Sequence, residues 1–152
     1  MHDDQALKDY GADSPFLYLG KVHKLHELIG PEEGSAEELR LRLKKFYFSG
    51  LKKLVNERIV PYQTQLRVKP KKIEIVESAN KWGSCTSGKV LAFNYRLAMA
   101  PVEVIDYVIV HELCHLLHMN HDRSFWRRLG GVMPDYKGKE AFLAAYGHRM
   151  TL

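Results

Sequence analysis

The chain has 152 residues, 45% hydrophobic and 27% charged, which fits one globular domain with a single core and excludes two comfortable ones. No stretch approaches the roughly 18–20 consecutive apolar residues of a membrane helix, and the polar start Met1-His2-Asp3-Asp4-Gln5 does not read as a secretory signal. A net charge of +5 admits nucleic acid as a partner through phosphate attraction, but the basic groups are dispersed, as on a solvated surface.

Residues 1–15 read as a loose arm ending at Ser14-Pro15, ahead of a single domain over 16–152. The run from Phe16 to Leu25 predicts two short extended segments turning at Gly20. After a loop at Gly30-Pro31-Glu32-Glu33-Gly34, the stretch Ser35-Ala36-Glu37-Glu38 has the spacing of a capping box, in which hydroxyl and carboxylate satisfy each other's amide. Leu39, Leu43, Phe46, Leu54 and Ile59, with Tyr47, Leu51 and Val55 beside them, then recur at helical spacing. They predict a long helix with one buried face. Gly50 interrupts that face, and Pro61 is expected to end or kink the helix because it removes a backbone donor.

Residues 72–77 predict a strand, 86–89 a turn and 90–95 a second strand. Pro101 suits the first turn of a largely apolar helix from Val102 to about His118. Two shorter helices are expected around 124–129 and 139–146, separated by Gly130-Gly131 and Pro134.

The apolar helix carries the informative pattern, His111-Glu112-Leu113-Cys114-His115. At about 100° per residue, His111 and His115 lie within roughly 40° of each other on the helix surface, so both imidazoles can face one ion. Glu112 is placed to take a proton from activated water. This H-E-x-x-H arrangement belongs to zinc hydrolase chemistry, and an ionised glutamate among hydrophobic residues is costly unless something pairs with it. An open catalytic site needs a third protein ligand. His121 is preferred, because a helix ending at Met119-Asn120 lets the chain fold back. His118 is the competitor, but it stands about 10 Å from His111 along a straight helix. Zn2+ is the expected cofactor, although imidazole ligands also suit nickel, copper and iron.

Several separated segments resemble the YgjP-like metallopeptidases: Trp82-Gly83-Ser84-Cys85, Asn94, Pro101, the run from Ile105 to Leu116, and Asn120-His121 with Phe125-Trp126. That family is similar in turn to SprT-type and WLM-type zinc proteases. The resemblance is strong over about residues 72–136. It implies an α+β, zincin-like fold, with a small β-sheet packed on a long backing helix and on the H-E-x-x-H helix. It further implies metal ligands at His111, His115 and His121, a general base at Glu112, and protein or peptide substrates; the cytoplasm is the compartment expected from the low cysteine count. Two departures stand out. The family's longer amino-terminal β-rich region is largely missing, and Asp122 occupies a position where serine is common.

Other residues carry weaker expectations. Cys85 and Cys114 are too few for a disulfide scaffold and fit a reducing compartment as small buried thiols. Trp82 fits packing better than a substrate cleft, and Phe125 and Trp126 fit anchors of the following helix. Asn94 suits either a loop brace or a substrate contact. Asp122 suits either an imidazole partner or a helix cap. Tyr95, Tyr136 and His148 are equal candidates for stabilising an oxyanion, and Met133 resembles a methionine turn only thinly. The strand at 90–95 is expected to hold an extended peptide by edge pairing. A nucleic-acid-associated protease and a non-catalytic metal-binding module are the competing functional classes, and the oligomeric state is unknown.

Overall fold

The computed structural model describes residues 10–31 and 33–152. The part of the expected arm over residues 1–9 lies outside them, whereas residues 10–14 are packed rather than loose. Tyr10 is buried and stacks on Phe16 at 5.4 Å. The Ser14 and Ala12 carbonyls accept from the Leu25 and His26 amides.

A hairpin of β1 (Pro15–Tyr18) and β2 (Lys21–Lys24) follows, then a short helix α1 (Leu25–Ile29). The turn runs through Leu19 and Gly20, both at positive φ. The Leu19 and Gly20 amides bond to the carbonyls of Ala98 and Met99, which seat the hairpin on the core.

Helix α2 (Ala36–Leu66) starts with the expected capping box: the Ser35 hydroxyl accepts from the Glu38 amide, and Glu38 Oε1 accepts from the Ser35 amide. Its buried residues come at four-residue intervals, Leu39, Leu43, Tyr47, Leu51, Val55 and Ile59. Phe46 and Leu54 are only partly buried beside them. Steps of four residues advance roughly 40° each around an ideal helix, so the buried seam winds. The partners change with it. Tyr18 of the hairpin packs on Phe46 and Tyr47, Phe48 stacks on Tyr95, and Arg58 meets Asp106 further along. Gly50 belongs to this scheme, since a Cβ there would stand 3.0 Å from the Tyr18 hydroxyl.

Pro61 neither ends α2 nor removes its last turn. The helix continues to Leu66 and closes at Arg67 in the left-handed conformation. Interior proline costs about 3 kcal/mol, but here Tyr62 and Leu66, both beyond it, are tied to the rest of the protein. Leu66 is buried, and the Tyr62 hydroxyl donates to Asp106 at 3.0 Å.

A three-stranded sheet has the order β3 (Lys72–Val76), β5 (Val90–Asn94), β4 (Gly83–Cys85). β5 runs parallel to β3 and antiparallel to β4. It is the central strand, with Leu91 and Phe93 fully buried. The strand expected at 90–95 therefore has no free edge for a peptide, because hydrogen bonds to two neighbours use both of its sides. The edges lie instead on β3 and on β4, the latter a strand too short and polar to be predicted from its own residues.

After a 3-10 turn at Tyr95–Met99, helix α3 (Val102–Cys114) crosses α2. Arg58 Nε and Nη2 both donate to the Asp106 carboxylate, which also accepts from Tyr62. Helices α4 (Arg123–Val132) and α5 (Tyr136–Tyr146) complete the layer. Gly130 and Gly131 lie inside α4, so the break falls later, at Met133-Pro134. Leu129 is buried and the Met133 amide bonds back to its carbonyl, so that turn is held by packing and by the ladder despite two poor helix formers. No helix among the described residues is long and apolar enough to cross a membrane.

The Asp106 side chain is 6% exposed while that of Arg58 is 44% exposed. Removing the arginine thus leaves a nearly dry carboxylate with only a phenol. Arg58→Met should lower unfolding stability by about 2–3 kcal/mol, below the full cost of a wholly buried pair because the guanidinium is half in water. Urea denaturation measures it, and a loss under about 0.5 kcal/mol would show that the pair does not fix α3 on α2.

Candidate metal centre

Helix α3 is buried along nearly its whole length, from Val104 to Val110 and again at Glu112, Leu113 and Cys114. It ends a turn earlier than its apolar pattern predicts. The amides of His115, Leu116 and Leu117 bond back three residues, to Glu112, Leu113 and Cys114, so the helix tightens and stops. His115 is its last cap. His118 is consequently not on the helix at all, which removes the straight-helix geometry that made it a competitor.

That early stop returns the chain to the histidines. Asp122 caps α4, its carboxylate accepting from the Phe125 amide at 3.0 Å, so of its two expected roles it takes the cap. The residue just before the cap, His121, is thereby aimed back at α3. His121 Nε2 stands 3.0 Å from His115 Nε2. The donor atoms of His111, His115 and His121 all lie within 4.8 Å of one another. Two ring nitrogens 3.0 Å apart need a proton or a cation between their lone pairs, and the three together could hold a metal ion.

The second nitrogens of His111 and His115 have partners. His115 Nδ1 is 3.0 Å from the His118 carbonyl, which only a protonated nitrogen can satisfy, leaving Nε2 as the electron-pair donor. His118 thus enters the site through its backbone. His111 Nδ1 is 3.1 Å from Glu112 Oε2. Burial, followed by the neighbouring His111 and His115, holds His121 below the ordinary histidine range, which favours the neutral ligand form.

Phe125 touches all three imidazoles, with ring centroids 5.1, 4.6 and 4.9 Å from His111, His115 and His121. Trp126 lies between His121 and Tyr136 in a stack, 5.7 and 5.4 Å from each. The pair therefore anchors α4 as expected and also walls the cluster, a role that their spacing alone did not reveal.

Glu112 is buried at the other side of the cluster, against β4. A Cβ on Gly83 would come within 2.9 Å of both Cγ and Oε2 of Glu112 and 3.0 Å of Val108. Only glycine lets the strand pass this close. The thiols play no part in the metal set. Burial pushes Cys114 up to about 12, and burial with the Glu112 charge raises Cys85, so both stay protonated at neutral pH.

A cleft of about 360 Å³ opens beside His111 and Glu112, lined also by Trp82, Tyr107, Glu140 and Leu143. Trp82 is in this lining and under the Arg96 guanidinium at once, so it both packs and faces the cleft. Tyr107 sits four residues before His111 and was legible as the same helix face; Glu140, on α5, carried no sequence signal. Asn94 is a brace: its amide donates to the Ser78 and Lys81 carbonyls, which fixes the loop leading into β4. Of the oxyanion candidates, Tyr95 is buried against Phe48, Tyr136 stacks on Trp126, and His148 lies in the turn after α5. None of the three lines the cleft. Met133 is buried at the end of α4.

The profile of the family described as YgjP-like, metallopeptidase domain, matches residues 5–146. The chain belongs to this family. It is accordingly a metallopeptidase, acting on protein or peptide substrates, and its α+β fold is zincin-like. No curated protein matches this chain, but solved structures share its fold. It is similar to the crystal structure of the metallopeptidase zymogen abylysin of Pyrococcus abyssi, with 18% identity and a TM-score of 0.54, over 60% of this chain and 93% of that one. It is also similar to the zymogen of Methanocaldococcus jannaschii jannalysin, with 25% identity and a TM-score of 0.50, over 64% and 88%.

The Gly83 contact generates a test that leaves every polar group of this YgjP-like site in place. Gly83→Ala should push Glu112 or β4 aside by several tenths of an ångström and lower kcat/KM on the order of 10²-fold, the scale of small misplacements near reacting groups. Metal content should stay at the wild-type level. Wild-type turnover in the variant would mean that the strand and the carboxylate are not held in register.

Proposed function

We propose that the protein is a zinc peptidase in which His111, His115 and His121 hold the ion and Glu112 is the general base. The convergence of three imidazoles on one point, beside a buried carboxylate, supports this reading best. The donor set fits: three nitrogens from two segments, with the second nitrogens of His111 and His115 engaged, and no fourth protein ligand among the described residues to close the site. Three histidines with an open position are typical of catalytic rather than structural zinc, which favours hydrolysis over a non-catalytic module.

Zn2+ held there would polarise the scissile carbonyl and acidify a water molecule. The remaining work falls to the chain itself. Glu112 Oε2 takes the proton of the attacking water, and its burial keeps competing solvent from that oxygen. The same oxygen then delivers the proton to the leaving amine nitrogen, so one carboxylate acts first as base and then as acid. His111 Nδ1, within hydrogen-bond distance of Oε2, steadies it between the two transfers. The free edge of β4 offers amides and carbonyls for an extended substrate alongside Glu112, the task once expected of β5.

Glu112→Gln should cut kcat by about 10²–10⁴-fold, the usual worth of a general base, with one metal ion per chain retained by elemental analysis. Replacing His111, His115 or His121 by alanine should instead weaken metal binding by more than the roughly 10–100-fold of an orienting partner. An X-ray absorption edge on the purified protein identifies the ion. Unchanged turnover in Glu112→Gln, or unchanged affinity in His121→Ala, would remove the corresponding assignment.

A further inference from the structure

The cleft beside the histidines has walls of two chemistries. Val108, Leu143, Ala144 and the Trp82 ring make most of it apolar, while Glu140 brings a carboxylate into the same space. Glu112 is already engaged with His111 and closed in by β4. Glu140 is different. It is exposed on α5, and among the described residues its side chain accepts one hydrogen bond, from the hydroxyl of the buried Tyr107, 3.4 Å from Oε2. No lysine or arginine among the described residues pairs with it, although Lys81 lies in the same lining, exposed on the loop before β4. The cleft therefore offers a hydrophobic channel with an unneutralised negative end, next to the point where the peptide bond is broken.

We infer that this cleft selects a lysine or arginine side chain flanking the scissile bond, with Glu140 as the specificity-determining residue. The inference rests on the peptidase reading above. Lysine and arginine bury their methylene stems along apolar surface while their charged heads seek a partner, which is the order of surfaces this cleft presents. Val108, Leu143 and Trp82 take the stem. Glu140 takes the head, and the Tyr107 hydroxyl positions its carboxylate over the cleft. An aspartate or glutamate side chain would face like charge at the same place and be disfavoured.

The test uses the metal-loaded protein and internally quenched peptides that differ only at the two positions flanking the cleaved bond, carrying lysine, arginine, leucine or glutamate. Cleavage sites are read by mass spectrometry. The lysine and arginine peptides should exceed the leucine peptide in kcat/KM by about tenfold or more, the scale of one hydrogen bond to a charged group. In Glu140→Gln that ratio should collapse to about twofold or less, and Glu140→Lys should reverse the order of lysine and glutamate peptides. Tyr107→Phe should reduce the ratio part-way. A wild-type ratio near one, or a ratio surviving in Glu140→Gln, overturns the inference.

The Glu112→Gln protein titrated with labelled versions of the same peptides gives the same ratio in Kd. Preferential binding of the lysine peptide with no turnover in wild type would retain the subsite and reject hydrolysis. Equal Kd values would overturn the subsite whatever the turnover.

Discussion

Everything at the site depends on placing one polar helix face at the edge of a dry core. Helix α3 is apolar over most of its circumference, yet it must carry His111, Glu112 and His115. A helix that greasy could slide or rotate among neighbours of similar character, because hydrophobic packing is non-directional. Asp106 prevents this. It stands six residues before Glu112, roughly 120° away around the helix, and its bidentate pairing with Arg58 and its bond from Tyr62 fix both rotation and height. The buried ion pair is a poor source of net stability, but it supplies the directionality that the apolar contacts lack. The long helix α2 is thus more than a backing layer: it sets the angle at which the histidines face the cleft.

The third imidazole is held by a different device. His111 and His115 are rigid because they share a helix, whereas His121 is exposed and follows a turn. Its position is bounded on one side by the Asp122 cap, which fixes where α4 begins, and on the other by the Trp126–Tyr136 stack. The early, tightened end of α3 is the condition for both. Had the helix run on to His118, the chain could not have brought His121 back within reach of His115. The His118 carbonyl, freed by that ending, then sets the tautomer of His115.

The parts legible in the sequence are those fixed by near neighbours. The capping box at Ser35, the turn at Gly20, the H-E-x-x-H pair and the fold-back to His121 each depend on a few consecutive residues. The misreadings are places where distant contacts outweigh local preference. Pro61 and Gly130-Gly131 are locally helix-breaking, yet Tyr62, Leu66 and Leu129 are anchored elsewhere and carry the helices through them. The strand at β5 is legible from its own residues, but whether it is central or at an edge depends on β4, whose residues Gly83, Ser84 and Cys85 carry little strand preference of their own. Glu140 is silent for the same reason: an exposed glutamate on an ordinary helix gains meaning only from Tyr107 and the cleft opposite.

Gly83 joins these two kinds of information. Read alone it is a glycine in a short polar run; in the fold it is the spacing between an edge strand and a buried carboxylate. Any side chain there would be in conflict with Glu112, so the approach of β4 and the burial of the carboxylate are one feature. Burial removes water from the carboxylate, and Phe125 covers one side of the imidazoles. In such surroundings charge interactions are less screened than in water. A cation held among the three nitrogens would therefore be felt strongly by the carboxylate at its side. The cleft beside His111 supplies a way in from the outside. The same packing that makes the polar groups expensive to bury is what gives them chemical leverage once they are paired.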